Sequence, residues 1–337
     1  DWSSDVCSSD LIITAEEASS MIVPDVEWIV EGFLPLGFKA ILSGTTGSNK
    51  SYASMELGMR VADANEDGSS EFLSYKIPRP LKVLYIDVEV GQDEMLRRFQ
   101  RLEKSLGFTE KQNFAMISIK ESFVDAWSTI KDATVQLKPD LVIIDNLYSS
   151  SDKNMSKQQE LKPVLKNIDE LMEVTGVTPL LIHHFNKATG EMGMEIDRMQ
   201  GASTLQNWAE YIILLSKTNV QDLRLMKVAK SRGTAQSEEV YGIRWDSKTF
   251  TLKMAGIIDD YQKYLKSENS IRQWESVLDK MEERFESKDW VSLVIDMSLS
   301  RETAFNWLKE VQTIGMIKKL KHGHYMKSGM KILRNVE

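Results

Sequence analysis

Short apolar runs alternate with segments of helical period from Ile12 to about Gly256. Lys39–Leu42 is apolar and leads into Gly44–Ser51, and Tyr52–Ala62 then places Met55, Met59 and Ala62 on one helical face. Lys82–Val88 reads as a strand and Gln92–Leu106 as a helix. Phe114–Ile119 is a third apolar run, and Phe123–Leu137 has helical period. Asp140–Asp145 reads as a buried strand, Glu160–Thr175 as a helix and Pro179–His184 as a strand. Tyr211–Leu215 and Arg224–Ala229 are later strands. Near-continuous apolar strands separated by helices predict a mostly parallel sheet with helices on both faces.

The pattern changes after Gly256. Tyr261–Arg284 is highly charged, helical in period, and reads as a connector. Trp290–Met297 and Arg301–Ile314 predict two helices joined by a turn containing Leu299 and Ser300. Ile317–Leu320 and Tyr325–Met326 flank a His322–Gly323 turn. Helix, turn, helix, hairpin is the order of a small winged helix-turn-helix. The expected organisation is therefore an α/β domain over 12–256, a helical connector over 257–286 and a winged-helix-like domain over 287–337.

A chain of 337 residues fits one large and one small domain. Its 42% hydrophobic and 27% charged residues are globular composition. No run of ~18 apolar residues predicts a transmembrane helix, and no secretory segment is evident, so no membrane partner is expected. The first eleven residues, DWSSDVCSSDL, resemble the conceptual translation of a sequencing adapter and are expected to be foreign to the protein. The sole cysteine, Cys7, leaves with them, which fits a reducing cytoplasm. The net charge of −8 then becomes −5 and excludes a uniformly basic coat for nucleic acid, but not a local patch. Residues 287–337 carry +4, and Lys318, Lys319, Lys321, Lys327, Lys331 and Arg334 cluster in and after the expected hairpin.

The strongest chemical signal is Gly44-Thr45-Thr46-Gly47-Ser48-Asn49-Lys50-Ser51, between an apolar strand and the helix that Tyr52 continues. It is G-x-x-x-x-G-K-[ST] with Asn49 in place of the second glycine. Backbone N–H groups of such a loop and the helix N-terminus point at phosphates. Lys50 would reach the β- and γ-phosphates of ATP, and the Ser51 hydroxyl would ligate Mg²⁺. Asparagine tolerates the positive φ that position 49 would require better than other non-glycine residues. Asp145 ends the strand DLVIID in the Walker B arrangement, where a strand-end carboxylate holds Mg²⁺. Glu89 lies just past KVLYIDV, at the strand end where an open α/β sheet forms its crevice, and could orient or deprotonate water. Asp87 is the competing candidate.

WIVEGFLP, the phosphate loop, YIDVE, LVIIDN, LLIHHFNK, QGAS and KSRG, in that order, resemble the RecA-like ATPase core of RepA-type and DnaB-type replicative helicases. The resemblance is to the RepA-like ATPases of plasmids, phages and mobile elements, over roughly Val26 to Trp245. It implies that Glu89 is the catalytic base and that His184 is the strand-end residue sensing the γ-phosphate. It also implies that Lys230 and Arg232 of KSRG are a finger pair inserted into a neighbouring subunit's site, hence a homo-oligomer, expected to be a hexamer. In the RecA-like plan single-stranded DNA meets the loops Tyr148–Gln159 and Asn186–Ser203, where Lys153, Lys157, Lys187 and Arg198 could contact phosphates. Arg301–Val311 would be a recognition helix for duplex DNA, with Lys318, Lys319 and Lys321 on the backbone. The expected function is an ATP-hydrolysing helicase of mobile-element replication. The alternatives are an ATP-gated DNA-binding regulator or helicase loader without unwinding, and a recombination filament.

Overall fold

The computed structural model describes residues 13–146, 157–185, 193–199, 202–233, 237–265, 274, 276–313 and 316–328. The adapter-like segment lies outside them. The chain separates into two compact units: residues 1–217 with 222–259, and residues 218–221 with 260–337.

The first unit opens with helix α1 (Ala15–Ser20), capped by Thr14, and a small sheet of β1 (Trp28–Val30) and β2 (Leu34–Pro35). The main elements follow as β3 (Ala40–Gly44), α2 (Lys50–Ala62), the hairpin β4 (Ser70–Phe72) and β5 (Tyr75–Ile77), β6 (Val83–Asp87) and α3 (Gln92–Leu106). Then come β7 (Phe114–Ser118), α4 (Trp127–Leu137), β8 (Leu141–Asp145), α5 (Lys157–Thr175), β9 (Thr178–His184) and α6 (Ala202–Trp208). Four strands close the unit: β10 (Tyr211–Lys217), β11 (Leu223–Ser231), β12 (Tyr241–Asp246) and β13 (Thr251–Ile257).

Among the described residues the main sheet has nine strands, in the order β13-β12-β11-β10-β3-β9-β8-β6-β7. The six strands from β10 to β7 are parallel; β11, β12 and β13 run antiparallel at one edge. The sheet is thus mostly parallel, as the apolar runs predict. Every residue of β3, β6 and β8 is buried, which is what a strand covered on both faces requires. Val83, Tyr85, Leu141, Ile143, Leu180 and Ile182 share one core with Met55, Met59, Met95 and Leu102 of α2 and α3. Their alternates Leu84, Ile86, Val142, Ile144 and Leu181 are equally buried on the other face. Helix α2 is buried almost all round. Its Glu56 reconciles a buried charge with that position by pairing with Arg60 at 2.9 Å and accepting the Leu252 N–H at 2.8 Å. No described helix is long and apolar enough to cross a membrane.

In the second unit, strand β14 (Arg284–Glu286) precedes helices Ser287–Asp296 and Arg301–Thr313, and a hairpin of β15 (Ile317–Lys321) and β16 (His324–Lys327) follows. The three strands are ordered β14-β16-β15, and the hairpin turns at His322–Gly323 with Gly323 at φ +74. Part of the segment expected as a connector over 257–286 contributes to the core of this unit. Trp274, Val277, Leu278 and Met281 pack in one core with Phe285, Trp290, Trp307, Leu308 and Tyr325. Their spacing places one apolar stripe on a helix, so the segment buries a face instead of bridging solvent. Arg284 is already in a strand, not in a helix continuing from Tyr261.

Candidate nucleotide site

The register of the parallel strands sets Gly44 beside His184 and Asp87 beside Asp145. Four chemically distinct strand ends therefore share the C-terminal edge of the sheet, where an open α/β fold leaves its crevice. Strand β3 runs so close to β10 that a Cβ at Gly44 would lie 1.8 Å from the Leu215 carbonyl oxygen. The next residues turn away from the sheet. Thr45 accepts the Lys217 N–H at 2.8 Å, while Thr46 and Gly47 are exposed at the crest. Ser48 donates its hydroxyl back to the Thr45 carbonyl at 2.8 Å. Asn49 caps α2 at φ 68 and ψ 28, the left-handed conformation its sequence position anticipates.

Lys50 is buried, with Nζ 3.0 Å from the Gly44 carbonyl and 2.8 Å from that of Thr45. Burial holds its ammonium down to about 8, partly offset by the negative charges of Asp145 and Glu89. A loop of backbone amides at a helix N-terminus around a buried ammonium fits a polyphosphate. Bound phosphate raises the lysine pKa, so binding takes up a proton above pH 8. Affinity for ATP is expected to be insensitive to this group below that pH and to fall about tenfold per pH unit above it. Calorimetry at about pH 7.5 and 9.5 checks this; equal affinity at both would remove Lys50 from the phosphate site.

Asp145 is buried beneath the loop and accepts the Tyr85 hydroxyl at 2.6 Å. Burial pushes its carboxyl up; hydrogen bonds from Tyr85 and Ser51 pull it down. Ser51 and Asp145 thus face one another, the donor pair that Mg²⁺ bound to a nucleotide would need. Glu89 accepts the Asn146 amide at 3.1 Å and lies 3.8 Å from His184 Nε2. Its carboxyl is held down to about 2, chiefly by His184 and then by Asn146, against the opposing effect of partial burial. Asp87 does different work. It is buried and accepts the N–H groups of Val90 at 3.2 Å and Gly91 at 2.8 Å, with the Ser118 hydroxyl at 3.3 Å. Those bonds shape the loop that carries Glu89, so between the two acids only Glu89 faces the crevice.

Tyr52 packs its ring on Trp245 at 5.1 Å and Phe250 at 5.4 Å, with its hydroxyl accepting from Arg101 at 3.1 Å. It anchors α2 to the antiparallel strands. Lys230 and Arg232 lie at the far end of β11 from the phosphate loop, since Lys230 pairs with Ile212 whereas Arg224 pairs with Lys217. Lys230 donates to the Gln206 carbonyl and, at 2.7 Å, to that of Ala209, closing the end of α6. Arg232 is exposed. Neither reaches the phosphate loop of its own chain.

Lys153 and Lys187 lie outside the described residues. Lys157 begins α5. Arg198 is paired with Glu195 at 2.6 Å in a short helical turn. Lys318, Lys319 and Lys321 are exposed on β15, an edge strand, where lysines also guard against pairing with another sheet. Four residues in contact with, or acting on, Glu89, Asn49 or Asp145 escape a reading of the sequence. Tyr85 sits inside an apolar run, and Asn146 follows Asp145. Arg98 lies near enough to favour the charged forms of both Glu89 and Asp145. Arg224 meets Asn49 from 175 residues away.

A family model described as AAA_25, AAA domain, matches residues 12–190. The chain belongs to the AAA_25 family. The matched AAA_25 region contains the phosphate loop, Glu89, Asp145 and His184. With Gly44–Ser51 following a central parallel strand and Asp145 ending the strand two places away, the AAA_25 core is a RecA-like P-loop ATPase fold. Among solved structures, the chain is similar to a KaiC-like protein of the archaeon Pyrococcus horikoshii at 15% identity and TM-score 0.47, over 67% of this chain and 93% of that one. It is also similar to the RadB recombinase at 15% identity and TM-score 0.47, over 65% and 90% respectively. No curated protein matches the chain.

Proposed function

We propose that this chain is an ATP-driven DNA motor of the RepA-like type, acting as a ring-shaped hexamer in the replication of a plasmid, phage or mobile element. The convergence of Lys50, Ser51, Asp145, Glu89 and His184 on one edge of the sheet carries the hydrolytic part of this reading. Lys50 leaves its loop carbonyls to bind the β- and γ-phosphates. Ser51 and Asp145 would hold Mg²⁺, which would supply positive charge to the phosphoryl oxygens. Glu89 accepts a hydrogen bond from the attacking water and turns it toward the γ-phosphate. A carboxyl with so low a pKa is a poor sink for a proton, so its contribution is orientation and charge. His184, beside Glu89, registers whether the γ-phosphate is present.

The motor part of the reading is supported by Arg232. It is exposed and remote from its own phosphate loop, so a phosphate contact is open to it only in a second copy. Single-stranded DNA is assigned to the loops following β8 and β9. The exposed lysines of β15 favour a second reading, an ATP-gated regulator that grips duplex DNA through a winged-helix-like second unit.

ATP hydrolysis by residues 12–337, with and without single-stranded DNA, beside a Lys50→Ala control, separates the two. The motor predicts turnover that DNA stimulates and the control abolishes, followed by strand displacement on a fork. ATP binding with turnover at control level, whether or not DNA is present, would favour the regulator.

A further inference from the structure

The glycine that a phosphate loop ordinarily places before its lysine is Asn49 here, in the left-handed region at φ 68. Its side chain is not idle. Oδ1 accepts Nε of Arg224 at 3.0 Å and Nη2 at 2.8 Å, a two-pronged bond from strand β11. Nη1 of the same guanidinium donates to the Leu223 carbonyl at 2.9 Å. Arg224 is only 8% exposed, and burial pushes its guanidinium pKa down, partly offset by the negative charge of Asp222. A buried guanidinium that rests on neutral oxygens is costly unless its geometry serves something.

The residue types fit that geometry closely. Glycine at position 49 would adopt the same backbone but offer no acceptor. Aspartate would offer a stronger one, yet place a negative charge in a loop meant for phosphate. Asparagine tolerates the left-handed conformation and presents a neutral acceptor to both prongs of an arginine. Lysine at 224 could not make the fork.

We propose that Arg224 is a positioning residue for the phosphate loop: its clamp on Asn49 holds the start of α2 in the phosphate-ready conformation and ties the loop to β11. This rests on the reading of Gly44–Ser51 as a nucleotide site. Arg224 acts through Asn49 and touches no reacting atom, so its loss raises KM for ATP more than it lowers kcat.

A double-mutant cycle tests the clamp. Arg224→Met is made in the parent and in an Asn49→Gly background, and two quantities are read: ATP·Mg²⁺ affinity, and hydrogen exchange of the amides of residues 45–51 without nucleotide. In the parent, Arg224→Met is expected to weaken ATP binding and speed exchange by about tenfold each, and in the glycine background by less than about twofold. Arg224→Lys should behave like Arg224→Met. Equal effects in both backgrounds would overturn the clamp. If the parent itself does not bind ATP, the nucleotide reading fails, and the exchange cycle still decides whether Arg224 holds the loop. Should Arg224→Met not fold, Asn49→Gly and Asn49→Asp both keep Arg224 in place, the first without an acceptor for it and the second with one. Faster exchange in the glycine variant than in the aspartate variant then supports the clamp, and equal or slower exchange overturns it.

Discussion

Glu89→Gln is expected to lower ATP turnover by about 10²–10⁴-fold while leaving ATP affinity within about threefold of the parent. The glutamine keeps the shape and an oxygen that the Asn146 amide can still meet at its present 3.1 Å. It loses the charge that answers His184 at 3.8 Å and, on the proposed mechanism, would orient water. Because the carboxyl is held near 2, the parent enzyme should show no loss of rate from Glu89 protonation between about pH 8 and pH 5. Single-turnover hydrolysis beside equilibrium ATP binding measures both quantities. A variant that binds and hydrolyses like the parent would return the role to another group. One that loses binding and rate together would make Glu89 part of the ground-state site.

Gly44→Ala is expected to cost more than about 4 kcal/mol and lower the melting temperature by about 10 °C or more. The added methyl would stand 1.8 Å from the Leu215 carbonyl oxygen and 2.8 Å from its carbon, both backbone atoms of a paired strand. No rotamer relieves that contact; β3 and β10 must part. Gly47→Ala makes the contrast, since nothing lies within 4 Å of a Cβ there. Its cost is the left-handed backbone at φ +75 alone, of order 1–2 kcal/mol. Thermal melts of the two variants beside the parent decide the matter: melting temperatures within 2–3 °C of each other would mean that the sheet gives way locally.

The parts of this site legible in the sequence are those whose chemistry and position coincide in one short segment. Lys50 and Ser51 follow an apolar strand directly, and Asp145 ends one. Strand alternation and a strand-end position could name Glu89 and Asp87 together but not choose between them. The choice depends on what Asp87 meets: two N–H groups of the following loop and Ser118 on the neighbouring strand. Tertiary partners hid the rest. Arg224 reads as an ordinary strand residue until β11 is laid beside β10. Lys230 reads as a free cation of a KSRG motif until α6 brings two carbonyls to it. The stripe Trp274, Val277, Leu278 and Met281 was present in the sequence all along, and dense charge around it made a core helix look like a solvated one. Strands β12 and β13 do not stand out in the sequence because Arg244, Asp246, Lys253 and Gly256 interrupt their apolar positions at a sheet edge that tolerates polar residues.

The strand order also governs when the phosphate loop can exist during synthesis. Strand β3 is made early but lies between β9 and β10, which are made late. The hydrogen bonds that seat its entrance, Gly37 N–H to Thr178 and Lys39 N–H to Glu210, span 141 and 171 residues. On a ribosome adding about 5–20 residues per second, the loop therefore waits roughly ten to thirty seconds for its walls. During that interval the apolar faces of β3 and α2 are without their partners, which is the stage at which a nascent chain of this topology most needs shielding from aggregation.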